Sequence, residues 1–131
     1  MSTALACFVS AGSFLSTRAD TPGGEMASAA SAFIAALDET QRAKALIPFA
    51  DAERQNWHFI PLIRRGLTWK DMTPAQRHLA TCLLASGLSQ RGYIKAKTIM
   101  SLEQILLDLE QGKGPVRDPD LYYWAVFGQP S

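Results

Sequence analysis

The sequence predicts a mainly α-helical fold, an α+β arrangement of several packed helices with a C-terminal β-strand. Three observations lead to this prediction. Apolar residues recur at three- and four-residue steps through most of the chain, several helix starts carry strong capping signals, and a segment rich in aromatic and β-branched residues lies near the C-terminus. With 131 residues, 47% of them hydrophobic, the chain has enough apolar material for one domain, which we place at residues 20–131.

Charge and composition argue against several classes of function. Thirteen basic and twelve acidic residues leave a net charge of +1, which gives no global field to recruit nucleic acid or an anionic membrane. No run approaches the ~20 apolar residues of a membrane-spanning helix. The two cysteines, Cys7 and Cys82, match no metal-ligand spacing and no disulfide framework. We therefore expect a soluble protein that binds no nucleic acid.

Residues 1–19 are predicted to be either an export signal or a disordered leader. The run 4–15 is apolar and has the length of a signal-peptide core, and Thr17-Arg18-Ala19 is an acceptable small-x-small cleavage site. Against export, no Lys or Arg precedes the run, and two serines and a glycine dilute its hydrophobicity. The first alternative places the protein in the periplasm or outside the cell, and the second in the cytoplasm.

Two helices are predicted in the first third of the domain. The turn-forming residues Asp20–Gly24 are expected to be a flexible joint, and an apolar stripe then predicts a helix from about Glu25 to Leu37. A second helix over 39–46 has a capping box in which Asp38 is the N-cap and Gln41 the third helical residue.

A proline-bounded stretch follows the second helix. Pro48 ends that helix, and Asp51 is expected to cap one further turn over 52–55. The segment Trp57–Ile60 is predicted to be short and extended, and any strand there lies at a sheet edge or stops at Pro61, which cannot donate to a ladder.

The clearest helix start is Thr73-Pro74-Ala75-Gln76, which combines an N-cap hydroxyl, a proline at the first helical position and a capping-box glutamine. Its buried face is expected to comprise Ala75, Leu79, Cys82 and Leu83. Gly87 stands where a left-handed C-terminal cap is needed.

The next predicted helix runs from about Gln90 to Glu110 after an N-cap at Ser89, with a break near Ser101 as the alternative. Its inward residues are expected to be Tyr93, Ala96, Met100, Leu102, Ile105, Leu106 and Leu109. Because the connection through Gly87 is short, we expect this helix and the preceding one to form an antiparallel pair.

After a loop over 112–119, Leu121–Phe127 is predicted to be a strand. Both of its faces are apolar, as in a strand that is covered on both sides. Trp57–Ile60 is the other strand candidate, so we expect an underprovided strand that promotes self-association or docks onto a further β-rich region.

Candidate catalytic residues are concentrated between Glu53 and His58. Glu53, Arg54 and His58 supply a carboxylate, a fixed cation and an imidazole, which are common components of acid-base and anion-binding sites. The alternative is a structural knot in which Arg54 stacks on Trp57 and donates to backbone carbonyls.

The remaining candidates, expected to have structural or binding roles, are Asn56, Trp57 and Tyr123. His58 and His78 lie twenty residues apart without a nearby Cys, Asp or Glu ligand pattern, so the sequence is weak support for a metal and identifies no cofactor. The basic turn Arg64-Arg65-Gly66 is expected to be a solvated corner.

Much of the chain resembles a bacterial family of unknown function. The residues that carry the resemblance are Gln41-Arg42-Ala43-Lys44-Ala45, Pro48-Phe49, Glu53-Arg54-x-x-Trp57-His58-Phe59-x-Pro61, Gly66-Leu67, Met72-Thr73-Pro74-Ala75-Gln76-Arg77, Gly87-Leu88-Ser89, Gly92-Tyr93, Lys95-Ala96-x-x-Ile99-Met100-Ser101-Leu102-Glu103, Arg117-Asp118-Pro119-x-Leu121-Tyr122-Tyr123 and Phe127-Gly128. They resemble the domain-of-unknown-function family numbered three thousand five hundred.

The resemblance implies that this chain is the N-terminal, mainly helical portion of a larger domain. Members of that family are usually longer, often carry export signals, and continue into a β-rich part with a Gly-His-His segment, which is absent from this sequence. The family supplies no established reaction.

Two hypotheses for function follow. In the first, Glu53, Arg54 and His58 belong to a hydrolase-like or metal-assisted site that downstream residues complete. In the second, the chain is a non-catalytic helical scaffold or protein-interaction module.

Overall fold

In a computed structural model of the protein, residues 21–60, 62–115 and 117–131 are described. This part of the chain is mainly α-helical, as predicted. Its helices are α1 (Pro22–Ala35), α2 (Glu39–Ala45), α3 (Pro74–Gly87) and α4 (Gln90–Glu110). Its strands are β1 (Leu46–Ile47), β2 (Leu67–Thr68), β3 (Tyr123–Trp124) and β4 (Val126–Phe127), and two short 3-10 helices lie at Ala52–Gln55 and Trp69–Asp71. The predicted leader, residues 1–19, lies outside the described residues.

Helix α1 starts earlier than the sequence pattern predicts. The Thr21 hydroxyl caps it by accepting from the Gly24 amide at 3.2 Å, and Pro22 occupies the first turn, where a missing amide proton costs nothing. The predicted joint over Asp20–Gly24 is therefore wrong from Pro22 onward, because a capping threonine followed by proline is also a helix start. None of the described helices is both long enough and apolar enough to cross a membrane.

The two predicted capping boxes, at Asp38 and at Thr73, are both present. Their third-position glutamines also pair with each other: Gln76 Nε2 donates to Gln41 Oε1 at 2.7 Å, and Gln41 Nε2 donates to Gln76 Oε1 at 3.1 Å. The remaining amide protons reach the carbonyls of Ala36 and Asp71. Gln76 is buried, and this pairing satisfies its polar atoms while it joins the starts of α2 and α3.

The strands form two separate two-stranded sheets. β1 runs parallel to β4 with Leu46 opposite Val126, and β2 runs antiparallel to β3 with Leu67 opposite Trp124. The predicted strand Leu121–Phe127 is thus two short strands that pair with two different partners. Trp57–Ile60, the other strand candidate, forms no strand, and the partners are β1 and β2.

A glycine permits the close approach of β2 and β3. Gly66 has φ +134°, and a Cβ there would lie 2.9 Å from the carbonyl oxygen of Trp124. Only glycine adopts that dihedral angle readily and has no side chain to clash with the Trp124 carbonyl. The basic turn before β2 therefore has a steric function as well as two charged side chains.

The core lies where α1, α2, α3 and β2 meet. Its buried residues are Phe33, Leu37, Ala45, Leu67, Met72 and Ala80. Trp124 packs against this cluster from the C-terminal segment, with its ring centroid 5.0 Å from that of Trp69 and its Nε1 donating to the Ala80 carbonyl at 3.2 Å. Trp124 therefore ties β3 to the core, although the residues of β3 and β4 are only half-buried.

Helix α3 has the predicted bounds, but its buried face differs from the predicted one. Gln76 and Ala80 are buried, Leu79 and Leu83 are half-buried, and Ala75 and Cys82 are exposed. Ala80 is inward because α1 and Trp124 approach it, which the sequence of α3 alone does not encode. The predicted left-handed cap at Gly87 is also wrong.

Gly87 instead ends the helix in a right-handed conformation, and the helix cap is Leu88 at φ −124°. A Cβ at Gly87 would lie 3.3 Å from Met26 Sδ, so its small size accommodates α1. α3 packs chiefly on α1 and touches α4 only sparsely, so the predicted antiparallel pair of α3 and α4 is not the main packing unit.

Helix α4 runs unbroken from Gln90 after the Ser89 cap, so the alternative break near Ser101 is wrong. No residue of α4 is buried. Of its predicted inward residues, Tyr93, Ala96, Met100 and Leu106 are half-buried, whereas Leu102, Ile105 and Leu109 are exposed. Apolar side chains therefore occupy both a packed face and an exposed face of this helix.

Candidate functional site

The candidate site is built on the 3-10 helix Ala52–Gln55, which Asp51 caps by accepting from the Glu53 amide at 2.9 Å. Arg65 Nη1 donates to both carboxylate oxygens of Asp51, at 2.9 and 2.8 Å. The Glu53 amide and then the Arg65 guanidinium hold the pKa of Asp51 below its usual value. Arg65, expected to be a solvated corner, thus anchors the start of the site.

Three of the predicted site residues form a hydrogen-bonded chain. Asn56 Nδ2 donates to Glu53 Oε2 at 2.9 Å, and His58 Nε2 lies 2.8 Å from Asn56 Oδ1. Because the Asn56 amide nitrogen is engaged with the carboxylate, its oxygen faces His58, and Nε2 is the proton donor. The lone pair of His58 Nδ1 is then available to accept a proton or to bind a metal ion.

Arg54 does not join the hydrogen bonds between Glu53, Asn56 and His58. Its Nε donates to the Phe49 carbonyl at 3.0 Å, and its guanidinium carbon lies 4.5 Å from the centroid of the Phe49 ring. The structural alternative for Arg54 is therefore correct in its backbone bond and wrong in its aromatic partner, which is Phe49 rather than Trp57.

A group of exposed apolar side chains, which we call the apolar loop, begins directly after Asn56 in the sequence. Its members are Trp57, Phe59, Ile60, Leu62 and Ile63. Trp57, Phe59 and Ile63 are 78%, 84% and 92% exposed. Arg64 Nη2 donates to the carbonyls of His58 at 2.6 Å and Ile60 at 3.1 Å, so one guanidinium bonds the backbone of this segment at two points.

Tyr123, the remaining predicted binding residue, lies in β3 away from the Glu53–His58 chain. It lines a cavity of about 760 Å³ together with Phe59 and Ile60. It also lines a larger apolar groove of about 980 Å³ between α1, α3, α4 and the C-terminal segment. Glu53, Arg54 and His58 line neither cavity, so these predicted site residues lie away from both cavities.

The described residues contain no preformed metal centre. Among residues 21–60, 62–115 and 117–131, no three side chains of the types His, Cys, Asp and Glu lie together as a metal ion would require. His78 Nε2 is 3.7 Å from Cys82 Sγ on the exposed side of α3, as a pair without a third ligand in this part of the chain.

Sequence reasoning missed the contributions of Arg64 and Arg65. Both are hard to recognise from the sequence, because Arg64 simply follows an apolar segment and Arg65 lies fourteen residues after the capping Asp51. Their partners, the His58 carbonyl for Arg64 and the Asp51 carboxylate for Arg65, become neighbours only after folding. The capping role of Asp51 was, by contrast, readable from its position before Ala52.

The fold and the site together define a mainly helical protein with a hydrogen-bonded glutamate-asparagine-histidine chain next to an exposed apolar loop. The family described as "Protein of unknown function (DUF3500)" matches residues 19–131, so the chain belongs to that family. No curated protein and no solved structure gives a significant match to the chain.

Proposed function

We propose that His58 is the proton-transfer or metal-binding group of a hydrolase-like or metal-assisted site. Glu53 and Asn56 orient its ring, Arg54 anchors the segment through Phe49, and groups from outside the described residues complete the site. The observation that supports this proposal is the Glu53–Asn56–His58 hydrogen-bonded series, in which Nδ1 of the exposed histidine has no hydrogen-bond partner among the described residues.

The chemistry of these hydrogen-bonded residues depends on the carboxylate at one end and the imidazole at the other. A carboxylate that is linked through an amide to an imidazole holds the ring with its Nε2 proton directed to the amide oxygen, so Nδ1 is the nitrogen that can accept a proton from water. The same outer hydrogen bond is typical of metal-ligating histidines, because it fixes the tautomer and the ring orientation. The arrangement therefore suits activation of water, by the base itself or by a bound ion.

The test is the tautomer of His58, observed by ¹⁵N NMR of the two ring nitrogens. We expect protonated Nε2 in the intact protein and a mixture of tautomers in Asn56→Ala. His78, the other histidine, is the internal control and should be unchanged by the substitution. A protonated Nδ1 in the intact protein, or a His58 spectrum that Asn56→Ala leaves unchanged, would contradict the proposal.

Metal binding is tested separately by titration with Zn²⁺. We expect the His58 resonances to shift before those of His78, and more strongly in a version of the chain that continues through the Gly-His-His segment of the resembling family. Equal response of both histidines in both versions would remove the metal-assisted form of the proposal and leave the acid-base form.

A second candidate function is a non-catalytic scaffold or interaction module. The observation that favours it is the exposed apolar face of α4, with Leu102, Ile105 and Leu109. Each described strand also has one strand partner, which leaves an edge for self-association or for a further β-rich part through Leu121–Phe127. Sedimentation equilibrium of the intact chain against Ile105→Ser/Leu109→Ser distinguishes this candidate, since a concentration-dependent mass that the substitutions abolish supports it.

A further inference from the structure

The larger apolar groove has no charged side chain in its walls. It lies between the first half of α1, the second half of α3, the middle of α4 and the C-terminal segment, and its volume is about 980 Å³. Among its lining residues, Met26, Leu88 and Ile99 are 45%, 41% and 52% exposed. Apolar surface of this extent is seldom left in contact with water, so an occupant is expected.

The polar groups of the groove indicate the charge of that occupant. Two of them, the Tyr122 hydroxyl and Trp124 Nε1, already donate to backbone carbonyls of the protein. A charged ligand would lose its hydration in this groove without gaining an ion pair with a lining side chain. An uncharged, apolar occupant therefore fits the groove best.

The chain itself contains a segment of this kind. Residues 1–17, which lie outside the described residues, are the longest stretch of the sequence without a charged side chain. The large apolar residues of the run 4–15 are Leu5, Phe8, Val9, Phe14 and Leu15. A segment of this composition gains free energy when its side chains leave water.

The residues that follow this run keep it close to the groove. Gly23 and Met26, near the start of α1, both line the groove. The six residues from Ser16 to Thr21 span at most about 20 Å when fully extended. A short tether of this kind gives an effective concentration in the millimolar range, so docking within one chain requires little intrinsic affinity.

We propose that residues 4–15 dock into the apolar groove of their own chain and cover it. Residues 16–21 form the connection to α1, and Arg18, the first charged side chain of the sequence, lies in this connection rather than in the docked run. In an exported chain, cleavage after Ala19 would remove the occupant and open the groove.

The test uses Cys7, which lies within the run and accepts a nitroxide spin label. Cys82 is exposed, so the labelled chain carries Cys82→Ser to confine the label to Cys7. The label broadens the methyl signals of nearby side chains in NMR spectra. We expect Ile99 and Val126, which line the groove, to lose most of their signal intensity and to regain it when the label is reduced. Ile63, in the apolar loop, should keep its intensity.

Two isoleucines of α4 provide a matched pair of variants. Ile99 and Ile105 are each 52% exposed, but of the two only Ile99 lines the groove. Ile99→Ser should therefore reduce the broadening of the Val126 signal, whereas Ile105→Ser should leave it unchanged. Thermal unfolding of both variants at the temperature of the intact chain shows that any difference comes from the surface.

A second measurement reports the exposure of the groove directly. Nile red, an uncharged dye, becomes fluorescent when it binds apolar surface. Leu5→Ser/Phe8→Ser/Phe14→Ser removes three large apolar contacts, so it should weaken docking at least about tenfold and raise dye binding above that of the intact chain. Adding Ile99→Ser to these substitutions should lower dye binding again.

Four outcomes would overturn the proposal. They are unchanged intensities of Ile99 and Val126, broadening of Ile63 in their place, equal dye binding by the intact chain and the variant of the run, and broadening only between chains. The last is detected by mixing spin-labelled chains with isotope-enriched chains that carry no label, and it would show that a second copy supplies the run. Failure of the His58 tautomer test, with docking retained, removes the proposed site and leaves the covered groove.

Discussion

At the scale of single residues, the paired amides of Gln41 and Gln76 do the most to define how α2 and α3 meet. Each glutamine closes its own capping box and then uses its remaining hydrogen-bonding capacity on the other. Local capping signals thus become a tertiary contact. Each box is readable from the sequence, but their pairing is not, because nothing in either segment specifies the other.

We predict that Gln76→Ala lowers the free energy of unfolding by about 1–3 kcal/mol, because it removes a buried amide that bonds both the Ala36 carbonyl and the Gln41 side chain. Urea denaturation measures this loss. In a double-mutant cycle with Gln41→Ala, the coupling should be about 0.5–3 kcal/mol. Gln104→Ala is the control, since Gln104 bonds Asp108 on the exposed side of α4 and should change stability by about 0.5 kcal/mol or less.

A second prediction concerns the pH dependence that Asp51 confers. Its pKa is lowered in the folded state from the usual 3.8, so its contribution to stability is present above about pH 4 and is lost as the pH falls through the lowered value. We expect Asp51→Asn to flatten the acid limb of stability against pH.

The flattening should be partial, because the pKa values of Glu110 and Asp118 are also lowered, mainly by Arg117 and by Lys70. Chemical denaturation between neutral and acid pH measures the slope. If stability falls as steeply with acid in Asp51→Asn as in the intact chain, the bonds of Asp51 to the Glu53 amide and Arg65 do not couple folding to protonation of Asp51.

At the scale of elements, α3 shows what a helical pattern leaves undetermined. Several adjacent positions on its surface are small or apolar, so the apolar stripe can be centred on more than one face. The face that is buried is the one that α1 and Trp124 approach. Alanine is compatible with either environment, which is why Ala75, predicted to be buried, is exposed, whereas Ala80 is buried.

We predict that Ala80→Leu lowers the free energy of unfolding by about 1–3 kcal/mol, since Ala80 is fully buried beneath Trp124 and has no room for a larger side chain. Ala75→Leu, the matched substitution at the exposed position of the same helix, should change stability by about 0.5 kcal/mol or less. Equal losses of unfolding free energy in the two variants would show that Ala75 is buried, as the sequence pattern predicts.

The helices and their caps were predictable because their signals are local. The start of α3 at Pro74 and both ends of α4 were placed correctly, as was the cap at Asp51. The strands were less accessible, because each has two residues and owes its existence to a distant partner. For the same reason the sequence located the Glu53–His58 segment, whereas the order of its hydrogen bonds and the direction of Arg54 required the fold.

At the scale of the whole molecule, the C-terminal segment connects the two small sheets and completes the core. β3 pairs with β2, β4 pairs with β1, and Trp124 lies on Trp69 and Ala80. The expectation that Leu121–Phe127 lacks neighbours inside the chain is therefore wrong, although its strands are only half-buried.

We predict that truncation after Pro119 abolishes cooperative unfolding, because it removes both strand pairings and the Trp124 contact from a small core. Near-ultraviolet circular dichroism and urea denaturation would show this loss. Truncation after Gly128, which keeps β3 and β4, is the control and should retain a cooperative transition. A version ending at Pro119 that unfolds as the intact chain does would show that the segment is dispensable.

The parallel pairing of Leu46–Ile47 with Val126–Phe127 also has a consequence for the order of folding. The connection between these strands contains α3 and α4, so the pairing closes a loop that includes most of the domain. Closing such a loop costs chain entropy before any contact offsets it, and folds that depend on distant contacts form slowly. The helices can form during synthesis, but the native arrangement must wait until Val126 and Phe127 have been made, so a nascent chain exposes its unfinished core until that moment.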